Sequence, residues 1–170
     1  MIVGILSDTH GNVKRTAQAA AQLKARGVQA VFHCGDIGSE DVLLELATAF
    51  DPSAIPVHAV LGNVDTCIAA VEQFPETTVV CMHGAFGDLT IGGRRIAVVH
   101  GHESHRLRHA LGPGRYDYVL TGHTHRAEDR RQSGTRLINP GAVHRSGAPS
   151  VAVLDLESDV LEHIPLARQG

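Results

Sequence analysis

Three short apolar runs set the strongest constraint on what this chain can fold into. Each is closed by a glycine or serine next to a carboxylate or an amide. Residues 2–6 end in Ser7-Asp8-Thr9-His10-Gly11-Asn12, residues 30–34 in Gly35-Asp36, and residues 57–61 in Gly62-Asn63-Val64-Asp65. Apolar runs of this length, bounded by turn residues, read as buried strands. Between the first two, residues 13–26 place Ala17, Ala20, Ala21 and Leu23 among helical apolar positions, with Gly27 as the stop. Between the last two, Ser39 and the acidic pair Glu40 and Asp41 open a second helix to Phe50, which Asp51-Pro52 closes. Strand-helix-strand-helix-strand is the pattern of a parallel α/β sheet. Ligands bind such sheets at the carboxyl ends of the strands, where these polar residues fall.

The pattern then changes. Residues 66–87 carry no clean period, include Phe74-Pro75, and read as a mixed segment with a short helix. Residues 89–91 and 95–99, joined by Gly92-Gly93, read as a hairpin whose second strand ends in His100-Gly101-His102. Residues 104–111 read as a helix stopped by Gly112-Pro113-Gly114. Residues 118–121 form a strand that runs into Gly122-His123-Thr124-His125. Two imidazoles at i and i+2 in a turn after a strand can aim at one point, as a pair of metal ligands does. Residues 135–138 form a strand leading into Asn139-Pro140-Gly141. Residues 150–156 and 160–165 finish the chain, the latter as an edge. The switch from parallel to hairpin patterning predicts two sheets facing one another.

At 170 residues, one domain over 1–170 is expected, large enough for a proper core. No apolar run approaches the ~20 residues that cross a bilayer, so no membrane partner is expected. The first residues pass straight into a strand, which leaves no room for a signal peptide and points to the cytoplasm. Cys34, Cys67 and Cys81 are odd in number and lack CxxC spacing, as suits idle thiols in a reducing compartment. The net charge is −3, and no basic tract exceeds Arg94-Arg95 or Arg130-Arg131, so an extended nucleic acid is not expected as a partner. Self-association into a homo-oligomer is left open.

Twelve histidines stand out, several beside glycine or aspartate at strand ends. Collected there are Asp8, His10, Asp36, Asn63, His100, His123 and His125. Hard oxygens with borderline nitrogens and no thiolate suit Mn²⁺, Fe, Ni²⁺ or Zn²⁺, and suit Ca²⁺ poorly. Seven ligands exceed the needs of one ion. With one carboxylate bridging, each of two ions receives four. Two ions ~3.5–4 Å apart generate hydroxide at neutral pH and clamp an in-line displacement at phosphorus.

In order, Asp8-Thr9-His10-Gly11, Gly35-Asp36, Gly62-Asn63, His100-Gly101-His102 and Gly122-His123-Thr124-His125 resemble the five motifs of the calcineurin-like metallophosphoesterases. The short chain, His-Gly-His and Ile138-Asn139-Pro140-Gly141 resemble the small YfcE-type phosphodiesterase branch. The resemblance implies a four-layer αββα sandwich, two mixed sheets flanked by helices, with a dinuclear site between the sheets. It implies one ion on Asp8, His10, bridging Asp36 and His125, and another on Asp36, Asn63, His100 and His123, with Mn²⁺ the expected metal. The activity implied is hydrolysis of small phosphodiesters by in-line attack of a metal-bridging hydroxide.

Asp36 and His102 are the expected catalytic residues, and Asn63 and His102 the expected substrate-binding ones. His102 shares a side with His100 if the backbone is extended, and there it could bind phosphate or donate a proton, or stand by. His33 reads as core. His58, His83, His105, His109, His144 and His163 read as solvated or locally hydrogen-bonded, and Asn139 and Gly141 as shaping a turn. Many monoesterases of the superfamily carry histidine after the third-motif asparagine, and the YfcE-type branch often cysteine. Here Val64 stands there, which favours diesters with more acidic leaving groups. Two other functions compete: a nuclease on short nucleic acid, and a binding scaffold like the retromer-subunit relatives, in which metal chemistry is impaired.

Overall fold

A computed structural model describes residues 1–75 and 79–167. The first part runs β1 (Ile2–Leu6), α1 (Val13–Ala25), β2 (Ala30–His33), α2 (Glu40–Phe50), β3 (Val57–Ala59), α3 (Ala69–Glu72) and β4 (Val80–Met82). Single 3₁₀ turns at Asp51–Ser53 and Asp65–Cys67 flank β3. The second part runs β5 (Gly87–Ile91), β6 (Arg94–Val98), α4 (Ser104–Ala110), β7 (Tyr118–Leu120), β8 (Ala127–Gln132), β9 (Thr135–Pro140), β10 (Ser150–Asp155) and β11 (Val160–Pro165).

Two mixed sheets result. One is ordered β11-β10-β1-β2-β3-β4, the other β5-β6-β7-β9-β8. In the first, β1 to β4 are parallel, and β10 returns antiparallel to β1. In the second, β6, β7 and β9 are parallel between the antiparallel edges β5 and β8. The period of two along each strand sorts its residues into different cores. Val3, Ile5 and Phe32 meet Ile96, Val98, Leu120 and Ile138 between the sheets. Leu6, Val31 and Val57 turn the other way, onto Ala19, Leu23, Leu43 and Leu46 of α1 and α2. Ala97, Val119 and Leu137 take the outer face of the second sheet, under Ala110 of α4. Helix, sheet, sheet and helix therefore stack as the four expected layers. The exposed β11 forms the expected edge.

Two strands escape the apolar pattern. β8 reads AEDRRQ, almost wholly exposed, and exists because it pairs with β9 from Ala127↔Pro140 to Gln132↔Thr135. β4 has three residues and lies in the segment read as mixed, of which residues 76–78 fall outside the described residues. The short helix expected there is α3. Several strands also end earlier than their apolar runs: β2 at His33, β3 at Ala59, β6 at Val98 and β7 at Leu120. At each of these ends the chain turns toward the polar residues.

Candidate metal centre

Six loops converge at the carboxyl ends of the central strands, and hydrogen bonds between their backbones fix them to one another. Asp8 N–H donates to Gly35 O (3.0 Å), His10 N–H to Asp36 O (2.9 Å), and Gly122 N–H to His100 O (3.0 Å). The residues at the turns adopt left-handed backbone. Asp8, His10, Asp36, His123 and His125 have φ of 57°, 46°, 54°, 68° and 57°. Such conformations are costly for residues with a Cβ and gather at functional sites. Glycine at two positions allows the loops to touch. A Cβ on Gly62 would overlap Asp36 Oδ1 and its backbone nitrogen, and one on Gly122 would overlap Ser7 Oγ.

The turns bring Asp8, His10, Asp36 and His125 into one group whose donor atoms all lie within 4.8 Å of one another. His125 Nε2 is 3.2 Å from Asp8 Oδ1 and 3.2 Å from His10 Nε2, and His10 Nε2 is 3.7 Å from Asp36 Oδ2. Donors about 2.1 Å from a shared ion lie roughly 3–4 Å apart, so this spacing fits a cation at the centre. The other oxygen of the same carboxylate, Asp36 Oδ1, faces His100 Nε2 at 3.3 Å. The His123 ring lies 5.1 Å from that of His100. Asp36 thus divides its two oxygens between two groups of imidazoles.

The donor set is also prepared electronically. His100 Nδ1 lies 2.7 Å from Cys34 O, and His125 Nδ1 3.1 Å from Arg145 O. A carbonyl only accepts, so each Nδ1 carries a proton, and in the neutral ring each Nε2 is then left with its lone pair toward the site. His100 Nε2 and Asp8 Oδ1 are buried without hydrogen-bond partners. Burial pushes the Asp8 carboxyl above its ordinary range. Burial also opposes the Asp36 charge, but His100 beside it, the Val64 N–H at 3.1 Å and His10 outweigh that and hold it down at about 2. Buried carboxylates with orphaned donor atoms are what a divalent cation satisfies, and the residues fit one.

Asn63 is exposed, and backbone ties it to the group: its neighbours Gly62 and Val64 bond to Asp65 and Asp36. His102 lies 5.4 Å from the His100 ring and 6.2 Å from that of His123, with Nδ1 buried and unpartnered. It does not reach that place along an extended strand. β6 stops at Val98, and Gly101 at φ 108° bends the chain.

Three anchors were not singled out as site residues in the sequence. Asp65 is fully buried and accepts from Ile37 N–H (3.1 Å), Gly38 N–H (2.9 Å) and Gly62 N–H (2.7 Å). It ties the Asp36 loop to the Asn63 loop, and its signal was a carboxylate two residues after a ligand amide. His33, expected as core, is fully buried and does more than pack. Thr9 Oγ1 donates to Ile37 O (3.0 Å) and accepts from His33 Nε2 (2.9 Å), whose Nδ1 accepts from Gly35 N–H (3.2 Å). Asn139 donates to Gly122 O (2.7 Å) and accepts from Gly141 N–H (3.0 Å), so it shapes the histidine turn as expected. Of the remaining histidines, His58 meets His83 (3.1 Å), His109 meets Arg115 (3.0 Å), His144 meets Asn12 (3.3 Å) and His163 meets Asn139 O (2.9 Å). Only the His109 bond is local in sequence; that of His144 joins the loop after β9 to the start of α1.

Residues 1–159 match the calcineurin-like phosphoesterase superfamily domain. The chain belongs to that superfamily. Among curated phosphoesterases it is 28% identical to phosphodiesterase MJ0936 of Methanocaldococcus jannaschii, over 98% of this chain and 99% of that one. It is 31% identical to the probable metallophosphoesterase YsnB of Bacillus subtilis, over 94% and 86%. Among solved structures, an archaeal phosphodiesterase superposes with a TM-score of 0.79 at 27% identity, covering 98% of this chain and all of that one. The chain also shares its fold with Yfce of E. coli (TM-score 0.64, 21% identity, 98% and 100% covered). The same is true of Vps29 of Entamoeba histolytica complexed with Zn²⁺ (TM-score 0.59, 19% identity, 97% and 99% covered). Among the described residues, no helix is long and apolar enough to cross a membrane.

Proposed function

We propose that this phosphoesterase is a dinuclear-metal-dependent phosphodiesterase of small phosphodiesters, working in the cytoplasm. The observation that carries the reading is Asp36, whose Oδ2 faces His10 and whose Oδ1 faces His100. One cation would be held by Asp8, His10, Asp36 and His125, the other by Asp36, Asn63, His100 and His123; the donors suit Mn²⁺, Fe, Ni²⁺ and Zn²⁺, and the resemblance to the superfamily favours Mn²⁺ among them. Bound there, divalent cations supply Lewis acidity and activate water at neutral pH.

The chain's own residues do the rest. Asp36 stays ionised and positions both groups, and Cys34 O and Arg145 O keep His100 and His125 in the ligating tautomer. Asn63 and His102 border the place a phosphoryl group would take. Val64 offers no proton to a leaving oxygen, and its N–H is committed to Asp36. Only leaving groups that depart with little help should then react well, which supports diester over monoester hydrolysis.

Metal-reconstituted protein is to be assayed on bis-p-nitrophenyl phosphate and p-nitrophenyl phosphate. The expected result is metal-dependent turnover with higher kcat/KM for the diester. Both substrates release p-nitrophenolate, so a monoester preference would refute the diester reading. The role given to Val64 is tested by an alkyl monoester such as phosphoserine, which should react far more slowly than either. Metal binding without turnover of either would point to a scaffold of the kind considered from the sequence.

A further inference from the structure

The loop after β9 carries an arrangement that metal binding does not use. Val143 N–H donates to Ser7 O (3.0 Å) and His144 N–H to Asp8 O (3.1 Å), so the loop is fastened to the first ligand turn. Arg145 follows, with left-handed φ of 55°. Its carbonyl takes the His125 Nδ1 proton, and its exposed guanidinium lines two clefts. One, of about 540 Å³, is also lined by His125 and Arg126; the other, of about 350 Å³, by Arg15 and His144. Arg15 is 9% exposed, and its Nη1 is buried without a partner. The neutral Oε1 of Gln18, one helical turn on, is also without a partner and brings no compensating charge.

Among the described residues, no carboxylate lines either cleft, and none pairs with Arg15, Arg126 or Arg145. A buried guanidinium without an anion is expensive, and guanidinium geometry suits the paired oxygens of a phosphate.

We propose that Arg15, Arg126 and Arg145 form an anion subsite beside the Asp8–His10–His125 group, which holds a second phosphate of the substrate. The substrate class is then a small phosphodiester that carries a further phosphate group on the same molecule. This deepens the phosphodiesterase reading and rests on it for the word substrate, but the anion site itself stands on the clefts and the orphaned guanidinium.

Binding of thymidine 3′,5′-bisphosphate and of thymidine 5′-phosphate to the metal-loaded protein is to be compared by calorimetry. The p-nitrophenyl 5′-esters of both nucleotides are to be assayed beside them. The bisphosphate should bind at least about tenfold more tightly, the scale of one charge-assisted hydrogen bond, and its ester should show a similar advantage in kcat/KM. In Arg145→Gln, and in Arg15→Gln where it folds, the advantage should fall to threefold or less (~2–3). Arg145 is exposed, so its variant keeps the test open if the Arg15 variant fails to fold. Equal affinity for the two nucleotides, or an advantage untouched by Arg145→Gln, would overturn the subsite. A binding advantage that Arg145→Gln abolishes, with neither ester hydrolysed, would support the subsite and refute the phosphodiesterase reading.

Discussion

Replacing Asp65 should separate a residue that positions metal ligands from one that merely packs. Its carboxylate has no exposed surface and serves three backbone N–H groups: Oδ2 accepts from Gly62 and Ile37, and Oδ1 from Gly38. Asp65→Asn keeps one acceptor oxygen. Placed at the Oδ2 position, that oxygen still serves Gly62 and Ile37, while the new amide donor faces the Gly38 N–H. The Gly38 N–H and the new amide, both donors, are then left without an acceptor, and with partial relaxation the pair costs ~1–3 kcal/mol. Asp65→Ala orphans all three. With relaxation and non-additivity the loss should be about 3–5 kcal/mol, a large share of the ~5–15 kcal/mol that stabilises a domain.

Stability alone would not show positioning. The Asp65 bonds fix the loops that carry Asp36 and Asn63, so metal affinity is the second readout. Residues that orient ligands typically shift affinity or activity by 10–100-fold. In Asp65→Asn, urea unfolding followed by circular dichroism should show a loss of ~1–3 kcal/mol, and metal titration a weakening of at least about tenfold. Glu162→Gln, which breaks the exposed Arg26–Glu162 pair, serves as control and should change stability by less than ~1 kcal/mol and metal affinity not at all. If Asp65→Asn loses stability but titrates metal like the unmodified protein, the residue is structural only. If it loses neither, the three bonds do not matter and the reasoning fails.

Asp36→Asn should abolish turnover and release at least one metal ion; two tightly held ions by metal analysis, with normal rate, would remove its bridging role. Val64→His should raise turnover of an alkyl monoester such as phosphoserine, by up to ~10²-fold, while p-nitrophenyl phosphate, whose leaving group departs unaided, gains little. His102→Ala should lower kcat/KM with both metals bound, and lower it more for a nucleoside leaving group than for p-nitrophenolate; equal losses would indicate phosphate binding alone. His33 is held down to about 3 by burial, against an ordinary value of 6.5. The unfolded chain therefore takes up a proton that the folded one refuses, and stability is present above pH 6.5 and lost as pH falls toward 3. Between pH 7 and 5 this amounts to about 2 kcal/mol, which urea titrations of the protein and His33→Gln should show as a steeper loss in the former.

The sequence showed the first sheet more fully than the second for a physical reason. β1, β2 and β3 are largely buried, so they read as apolar runs interrupted only by His33 and His58. β8 is covered on neither face, and its charged residues are held by pairing with β9 and by Arg136 with Asp129. Tertiary pairing of that kind leaves no periodic trace. The candidate ligand residues were legible because they stand in the turns where apolar runs end. Asp65 was not, because its role lies in accepting backbone protons from loops distant in sequence. His102 was placed at the site for a wrong local reason, since extension was assumed where Gly101 bends the chain.

Those misses have a common cause in the conformation of the turns. Five of the seven candidate ligands sit in left-handed backbone, at a cost of order 1–3 kcal/mol each. Nothing within one turn could hold that conformation, so the support must come from elsewhere in the chain. Asp65 joins the second turn to the third, Thr9 and His33 join the first to the second, and Asn139 braces the histidine turn from β9. Each brace is buried, polar and satisfied, so losing any one leaves orphaned groups as well as an unsupported turn. The candidate ligands are therefore held in place by the fold itself, at the expense of local backbone energy. Buried braces elsewhere in the chain supply what the turns lack.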